Sequence, residues 1–326
     1  MGERHVACAI AGGGPAGMML GLLLAKAGVS VLVLEKHADF LRDFRGDTIH
    51  PSTMEVLGEL GLLERFLALP HQPVDHLAMQ YGTASYSPVD FKRLKVRCPF
   101  IAMMPQWDFL NFLAEEARKF PTFSLLFDSE VVDLVEEGGR VRGVVAETAD
   151  GRLTVLADLV VGADGRSSVV REKSGFKVLD IGAPMDVLWF RLPRRPDDTA
   201  ETQARFLPGR VFIMLNRGTY WQCAYVIAKG SIERIREAGL AAFRASVAAL
   251  LPVEAGRAGE IGSWDDVKLL NVKVDRLERW AKPGLLFIGD AAHAMSPVGG
   301  VGINLAIQDA VAAANILAQP LKTGHL

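Results

Sequence analysis

The stretch IAGGGPAGMMLGLLLAKAGVSVLVLEK, residues 10–36, decides the fold of the N-terminal part of this chain. Residues 6–25 carry no charge, and a run of 20 residues is long enough by length alone to cross a hydrocarbon layer of about 30 Å. Five glycines and Pro15 interrupt that run, however, and no convincing signal-peptide cleavage site precedes Lys26. The glycines divide the segment into a strand (residues 6–10), a tight turn, a helix (16–27) and a second strand (30–34). We therefore expect a βαβ unit and no integral membrane segment.

The glycines of the turn have the spacing of a dinucleotide-binding motif. Gly12, Gly14 and Gly17 match GxGxxG, in which one glycine permits the turn, one lets the backbone approach a pyrophosphate, and one lets the helix pack on the strand. Glu35 follows Gly12 by 23 residues, close to the offset of about 20 at which an acid accepts hydrogen bonds from ribose hydroxyls. The order strand, turn, helix, strand and acid favours a dinucleotide site over a plain glycine-rich turn. An NAD-like ligand and FAD both fit.

Composition limits the class of protein. The 326 residues are 50% hydrophobic, which suits a globular chain of two structural units. The net charge of −2 comes from 36 basic and 38 acidic residues that are mixed along the chain, so we expect no nucleic-acid partner. Three widely spaced cysteines without a CxxC pattern indicate a reducing, cytoplasmic setting, and with no HExxH among seven histidines we expect no metal. The sequence leaves the oligomeric state open.

Two further motifs follow the first. DLVVGADG, residues 158–165, is an apolar strand that ends in Asp164 and Gly165. GLLFIGDAAHAMSPVGGVGINLAIQDA, residues 284–310, repeats the pattern: a strand over residues 285–288, then Gly289 and Asp290, then a glycine-rich turn and a helix that we expect to end at Pro320. Both motifs place polar groups at the carboxyl end of a buried strand, where α/β sheets bind ligands.

These three motifs, in this order, resemble those of the class A flavoprotein monooxygenases, the para-hydroxybenzoate hydroxylase family, over essentially the whole chain. The resemblance implies an α/β fold: a Rossmann-type FAD-binding domain with an inserted, mostly antiparallel β-sheet substrate domain. Residues 1–75, 104–177 and 277–326 form the discontinuous FAD-binding domain in this interpretation. Residues 76–103 and 178–276 form the substrate domain.

The resemblance also implies a set of cofactor-binding residues. It implies that the bound dinucleotide is FAD. Because the chain has a single GxGxxG, NAD(P)H is expected to bind only transiently, as a co-substrate. The implied set consists of the first turn and its acid (Gly12, Gly14, Pro15, Ala16, Gly17, Glu35, Lys36), two residues matched to flavin contacts (Arg45, Gln106), Val132, the DG-motif aspartate Asp164, the aspartate matched to the ribityl chain (Asp290), and the loop and helix start beside the flavin ring (Pro297, Gly300, Gly302, Ile303, Asn304). No side chain is assigned a catalytic role.

Several of these residues have a plain structural alternative. Arg45 could pair with the neighbouring Asp43 or Asp47. Gln106 could cap a helix predicted over residues 108–119, and Asp290 could cap the turn that follows it. For His293 we favour a local hydrogen bond in the loop over proton transfer.

The remaining elements are predicted from local patterns. An SxxE pattern at Ser52 and Glu55 predicts a capping box and a helix that extends towards residue 67. Residues 130–158 read as a meander of strands, and residues 231–251 read as one helix.

Two predicted strands of the substrate domain carry aromatic and polar side chains. On the strand over residues 219–227, Gln222 and its alternate neighbours lie on one face and Trp221 lies on the other. One face is expected to lie over the flavin, and the sequence does not choose between them. On residues 187–192, Trp189 and Arg191 share a face; an arginine beside aromatic rings would suit a carboxylate or phenolate, and a solvated surface is the alternative.

The implied activity is hydroxylation of an aromatic, phenolic small molecule. In the family NAD(P)H reduces FAD, dioxygen forms a flavin hydroperoxide, and one oxygen atom is transferred to the ring. A dehydrogenase, reductase or NAD(P)H oxidase is the alternative, and a non-catalytic binding protein is a weaker one. A halogenase is disfavoured because the WxWxIP signature is absent. Relatives generally continue beyond the last helix, so either more chain follows Leu326 or the substrate pocket is more open, which would favour oxidase activity.

Overall fold

The computed structural model describes residues 2–41, 48–81, 84–199 and 201–326, and it divides into two compact units. Unit 1 comprises Met1–Pro70, Met104–Gly182 and Lys273–Leu326, and unit 2 comprises His71–Met103 and Ala183–Val272. The segments of unit 2 begin and end within five residues of the segments predicted for a substrate domain. That functional assignment stays a prediction.

The described residues form 21 strands and eight α-helices. In chain order they are β1 (Gly2–Ala11), α1 (Pro15–Lys26), β2 (Val31–Leu34), β3 (Thr48–Ile49), α2 (Pro51–Glu59), α3 (Leu63–Leu67), β4 (Gln72–Val74), β5 (His76–Tyr81), β6 (Ala84–Asp90), β7 (Ile101–Met103), α4 (Gln106–Ala117), β8 (Phe123–Leu126), β9 (Ser129–Glu137), β10 (Arg140–Thr148), β11 (Gly151–Gly162), α5 (Val169–Ser174), β12 (Val178–Asp180), β13 (Met185–Pro193), β14 (Gln203–Leu207), β15 (Arg210–Asn216), β16 (Tyr220–Ala228), α6 (Ile232–Glu237), α7 (Leu240–Ala248), β17 (Lys268–Leu270), β18 (Asp275–Leu277), β19 (Ala281–Lys282), β20 (Leu285–Phe287), β21 (His293–Ala294) and α8 (Gly302–Thr323).

Unit 1 is built on a parallel sheet with the strand order β20, β11, β1, β2, β8. β9, β10 and the first part of β11 form the predicted antiparallel meander, and β19 closes the other edge. All four residues of β2 are buried, as a strand covered on both faces requires. The arrangement is an α/β fold of the Rossmann type, as the sequence predicts.

The uncharged N-terminal run lies inside unit 1. Residues 8–11 at the end of β1 are at most 1% exposed, and nine residues of α1 are buried. The amide of Gly12 donates a 2.8 Å hydrogen bond to the carbonyl of Leu34, which joins the turn to β2. Burial also raises the pKa of the Cys8 thiol to about 12. The run is therefore hydrophobic because its residues form part of the buried core of unit 1.

Within the described ranges, one helical segment passes a length and composition test for a membrane span. It covers Val298–Thr323 with a mean hydropathy of 1.4, and 39% of the tested window is buried within the protein. Its apolar side chains Ile303, Ala306, Ile307 and Ala310 are at most 8% exposed and belong to the core. Core helices of soluble proteins pass the same test, so this result carries no membrane assignment.

Unit 2 is built on a seven-stranded sheet with the strand order β17, β13, β16, β15, β14, β5, β6. All neighbouring pairs are antiparallel except β14 with β5. Trp221, Cys223 and Tyr225 of β16 join a buried cluster with Phe243 and Val247 of α7. One face of this sheet is thus covered by the helices of its own unit.

Three local predictions were wrong. Two helices replace the single helix predicted from residue 52: α2 begins at Pro51 with His50 as N-cap and has no side-chain capping bond, so the SxxE pattern forms no capping box. Gly239, at φ 88°, separates α6 from α7 where one helix was predicted. α8 continues past Pro320 to Thr323 and ends at Gly324 in a left-handed conformation, since proline close to a helix end disturbs few hydrogen bonds.

Candidate cofactor site

The three glycines of the first turn differ in what surrounds them. A Cβ on Gly12, which has φ 103°, would lie 2.4 Å from the carbonyl oxygen of Ala163, and a Cβ on Gly17 would lie 2.0 Å from the carbonyl oxygen of Gly12. Both positions therefore exclude any side chain. A Cβ on Gly14 would meet nothing within 4 Å. The backbone at the start of α1 is thus accessible to a ligand, and this geometry fits a pyrophosphate.

The acid at the end of β2 is tied to this turn. Glu35 is 8% exposed, and its carboxylate accepts hydrogen bonds from the amide of Gly13 at 2.9 Å and from the amide of His37 at 3.1 Å. A carboxylate has further lone pairs, so these bonds are compatible with ribose binding. The neighbouring Lys36 is half exposed and lies 4.0 Å from Glu130.

The DG motif organises the loop between β11 and α5. Asp164 accepts hydrogen bonds from the Ser168 hydroxyl and, at 3.2 Å, from the Val170 amide. The Ser168 hydroxyl in turn accepts the Arg171 amide at 2.9 Å and caps α5. Burial raises the pKa of Asp164. The Asp164 side chain is therefore engaged in holding its own loop.

The GD motif, which consists of Gly289 and Asp290, lies against the first turn. A Cβ on Gly289, at φ 61°, would lie 3.0 Å from Cβ of Ala16 in α1 and 3.4 Å from Cβ of Ala306 in α8. Asp290 Oδ2 accepts a 3.0 Å hydrogen bond from Nε of Arg166, in the DG loop. The next short helical turn, residues 298–300, has Pro297 as its N-cap and no side-chain capping bond, so Asp290 does not cap it. Together with the contact between Gly12 and Ala163, these distances bring all three motifs to one place.

His293 has a partner on α8 and not in its own loop. Nε2 of His293 lies 2.6 Å from Oδ2 of Asp309, and the same oxygen accepts the amide of Gly289 at 2.8 Å. The ring stacks on Trp280 with the centroids 4.9 Å apart. The hydrogen bond with Asp309 raises the pKa of His293, although burial opposes it.

The start of α8 is fixed by Asn304. Its carboxamide oxygen accepts the amide of His50 at 2.8 Å and the hydroxyl of Thr53 at 2.8 Å, and its nitrogen donates to the carbonyls of Thr48 and Gly300. The Asn304 side chain thus holds two loops together, which leaves its backbone as the part that can meet a flavin.

The positions around Asn304 suit a ligand. A Cβ on Gly302 would meet nothing within 4 Å, whereas one on Gly300 would lie 2.3 Å from Oγ1 of Thr48. Ile303 is buried and Pro297 is half-buried. Nε2 of His50 is a buried atom that has no hydrogen-bond partner among the described residues, and burial lowers the pKa of this histidine. An open backbone and an orphaned polar atom are features that a bound cofactor would complete.

Three further residues were predicted to bind the cofactor: Gln106, Val132 and Arg45. Gln106 is the first residue of α4, whose N-cap is Pro105, so Gln106 does not cap a helix at Asp108. Val132 is half-buried on β9. Arg45 lies outside the described residues, as do its alternative partners at positions 43 and 47. The cofactor-binding roles of all these residues stay predictions.

Arg166 and Asp309 contact this site and are not among the predicted site residues. Arg166 stands in a loop whose path is not readable from the sequence, and its partner is 124 residues away. Asp309 follows Gly302 by seven residues, a spacing that returns to the same helix face, and this is the one signal that could have indicated it. Among the described residues no group of three or more His, Cys, Asp or Glu side chains could hold a metal ion.

Comparison with known proteins gives the class. The FAD binding domain family matches residues 5–325, so the chain belongs to that family. It is 35% identical over 324 residues to the 6-methylpretetramide 4-monooxygenase of Streptomyces rimosus, a match that covers 99% of this chain and 77% of that protein. Three further curated relatives are covered over 59%, 61% and 63% of their length. The chain is an FAD-dependent monooxygenase, and therefore an oxidoreductase.

Solved structures agree on the fold. PqsL, a probable FAD-dependent monooxygenase from Pseudomonas aeruginosa, superposes with a TM-score of 0.81 at 21% identity and covers 98% of this chain and 88% of its own. The myxobacterial chondrochloren halogenase CndH gives a TM-score of 0.85 at 20% identity, with coverage of 99% and 76%. At these identities the likeness shows the architecture alone, which monooxygenases and halogenases share.

Proposed function

We propose that the protein uses NAD(P)H and dioxygen to hydroxylate an aromatic, phenolic small molecule. The observation that carries the proposal is that the glycine turn, the DG loop and the GD turn lie together in unit 1. A Cβ on Gly289 would lie 3.0 Å from Cβ of Ala16, and Arg166 donates a hydrogen bond to Asp290. Bound FAD would supply the redox and oxygen-transfer chemistry. Gly14 and the start of α8 would hold it through backbone groups.

The face of the unit 2 sheet that is turned away from α7 carries the side chains that suit a substrate. Because Trp221 and its alternate neighbours on β16 are packed in the core under α7, the opposite face, with Tyr220, Gln222 and Ala224, remains. Trp189 and Arg191 of β13 pair directly with Ala224 and Gln222 and lie on this same face. We call these five residues the substrate face.

The chemistry of the substrate face suits a phenolate or carboxylate on an aromatic ring. The Arg191 guanidinium lies over the Tyr220 ring, 4.9 Å from its centroid. Nε1 of Trp189 is buried and has no hydrogen-bond partner in the described part of the chain. A cation and a free indole N–H beside aromatic rings bind and orient an oxygen-bearing ring.

The aromatic surface extends towards the other edge of the sheet. A groove of about 460 Å³ is lined by Met79, Tyr81, Tyr86 and Phe206, with Ser87 and Pro88. Strand pairing places Met79, Tyr81 and Phe206 on the same side of the sheet as the substrate face. This surface favours an apolar aromatic molecule over a small polar one.

The test is substrate-stimulated NAD(P)H oxidation with a panel of phenols and aromatic acids, including 6-methylpretetramide, under isotopically labelled dioxygen. A hydroxylase consumes NAD(P)H faster in the presence of one panel member and places one labelled oxygen atom in the product. Oxygen-independent turnover would support a dehydrogenase, and peroxide formation without a labelled product would support an oxidase. Either result would overturn the proposal.

A further inference from the structure

The loop between β6 and β7 of unit 2 carries a basic segment that the proposed function does not use. Residues 92–97 read KRLKVR, so four of the six are basic, and we call them the basic turn. Lys92 pairs with Asp75 at 2.8 Å. The side chains of Arg93 and Lys95 are exposed and make no hydrogen bond or ion pair with any residue in the described ranges. Two uncompensated positive charges therefore stand in solvent, two residues apart.

Hydrogen bonds hold the start of the basic turn in a defined shape. Residues 91–93 form a short helical turn with Asp90 as its N-cap, and the Asp90 carboxylate accepts the amide of Lys92 at 3.0 Å. The amide of Leu94 donates to the carbonyl of Phe91 at 2.9 Å. The basic side chains are thus presented by an ordered turn.

Large apolar side chains are exposed in the same stretch. Leu94, which lies between the basic residues, is 47% exposed, and Tyr86 and Val89 on the adjoining strand β6 are 59% and 36% exposed. With Tyr81, these make four of the thirteen exposed large hydrophobic residues in the described part of the chain, and they fall within 14 positions. Such a concentration of apolar surface beside positive charge is typical of an interaction surface.

We propose that the basic turn and the adjoining end of β6 bind the surface of an anionic lipid bilayer, with Leu94 inserted among the headgroups and Arg93 and Lys95 held against their negative charges. The stems of lysine and arginine lie along an apolar boundary while their charges stay in water, so a leucine between them can enter lipid without burying a charge. A purely ionic partner would leave Leu94, Tyr86 and Val89 in water, whereas a bilayer interface accepts both kinds of side chain. The inference does not depend on the proposed catalytic function.

The first measurement is co-sedimentation of the full chain with lipid vesicles. Vesicles of phosphatidylcholine alone are compared with vesicles in which about a third of the lipid is phosphatidylserine. We expect binding to the anionic vesicles to be about tenfold stronger or more, since each basic residue near the surface adds to the attraction. Added salt should weaken it, because screening acts on exposed charges.

Variants of the basic turn test which side chains bind. The double variant Arg93→Glu/Lys95→Glu should weaken binding to anionic vesicles about tenfold or more, and Leu94→Ala should weaken it about threefold or more. Arg234→Glu/Arg236→Glu is the matched control, because it makes the same change of net charge at exposed positions of α6 in the same unit. The control should change binding by less than about twofold, since its charges lie outside the proposed surface.

Insertion of Leu94 has a signal of its own. The three cysteines, Cys8, Cys98 and Cys223, are all buried, so Leu94→Cys adds one exposed thiol that can carry an environment-sensitive fluorophore. The emission of this label should shift to the blue on anionic vesicles, because the label enters an apolar environment. The same label on an Arg236→Cys variant should show no shift.

Three results overturn the inference. Wild-type protein that does not prefer anionic vesicles would mean that the surface binds no lipid, and a charge-reversed variant that binds as tightly as the control would place the binding elsewhere. Binding that depends on the charges but not on Leu94, with no emission shift, would mean that the basic turn binds negative charge alone. Thermal unfolding of each variant excludes loss of the fold as the cause. FAD titration tests the proposed function separately.

Discussion

Oδ2 of Asp309 accepts hydrogen bonds from both ends of the GD turn, from the Gly289 amide and from His293, and Asp290 lies between them. We expect Asp309→Asn to raise the Kd for FAD about tenfold, since one amide oxygen does not replace a carboxylate shared by two donors. Fluorescence titration of the apoprotein measures this. Glu116→Gln, which alters a buried carboxylate of unit 1 on α4, is the control. An unchanged Kd in the Asp309 variant would show that the turn holds its shape without that oxygen.

The hydrogen bond between His293 and Asp309 predicts a pH dependence of stability. The folded pKa of His293 is raised above 6.5, so its contribution is fully present below pH 6.5 and is lost as the pH rises through the folded pKa. The difference in unfolding free energy between wild type and Asp309→Asn should be about 1 kcal/mol or more in acid and smaller in alkali. Urea unfolding below pH 6.5 and above the folded pKa of His293 measures it. A difference that grows with pH would contradict the assigned partner.

In the first turn, Gly12 and Gly14 give a matched pair of variants, because their surroundings differ. Gly12→Ala forces a Cβ into the carbonyl of Ala163 at φ 103°, and we expect it to cost about 2 kcal/mol or more. Gly14→Ala meets no atom and has φ −73°, so it should cost less than about 1 kcal/mol and yet weaken FAD binding by occupying the approach to the pyrophosphate.

Thermal unfolding and FAD titration of both variants separate these effects. The expected pattern is a lower Tm for Gly12→Ala, and a nearly unchanged Tm with a raised Kd for Gly14→Ala. If Gly14→Ala binds FAD as tightly as wild type, the phosphate does not approach the backbone at that position.

The elements show what the sequence could and could not predict. Periodicity and glycine spacing gave the βαβ unit and the meander, because both depend on neighbours along the chain. The helix over residues 231–251 failed because one glycine at positive φ outweighed a continuous helical pattern. The contacts of Arg166 and Asn304 reach across 124 and about 250 residues, and no local pattern encodes such partners. The aspartate of the DG motif was identified by its motif, but its bonds to Ser168 and Val170 depend on the path of the loop, which the motif does not specify.

At the scale of the molecule, each unit has its own core and its own buried ion pair. In unit 2, Arg257 pairs with Asp198, each side chain is 5% exposed, and this arginine holds the pKa of Asp198 well below its usual range. In unit 1, Arg171 pairs with Asp275, at 11% and 9% exposure. Removing one member of such a pair leaves a buried charge uncompensated, which costs about 3–5 kcal/mol.

These pairs test whether the two units unfold separately. Since each unit has its own hydrophobic cluster, we expect calorimetry to resolve two transitions, with Asp198→Asn lowering one and Asp275→Asn lowering the other. All predicted cofactor-binding residues within the described ranges belong to unit 1, so FAD should raise the transition that Asp275→Asn lowers and leave the other in place. A single transition that both variants and FAD shift together would mean that the units unfold as one. FAD acting on the Asp198-sensitive transition alone would place the cofactor in unit 2 and contradict the site proposed above.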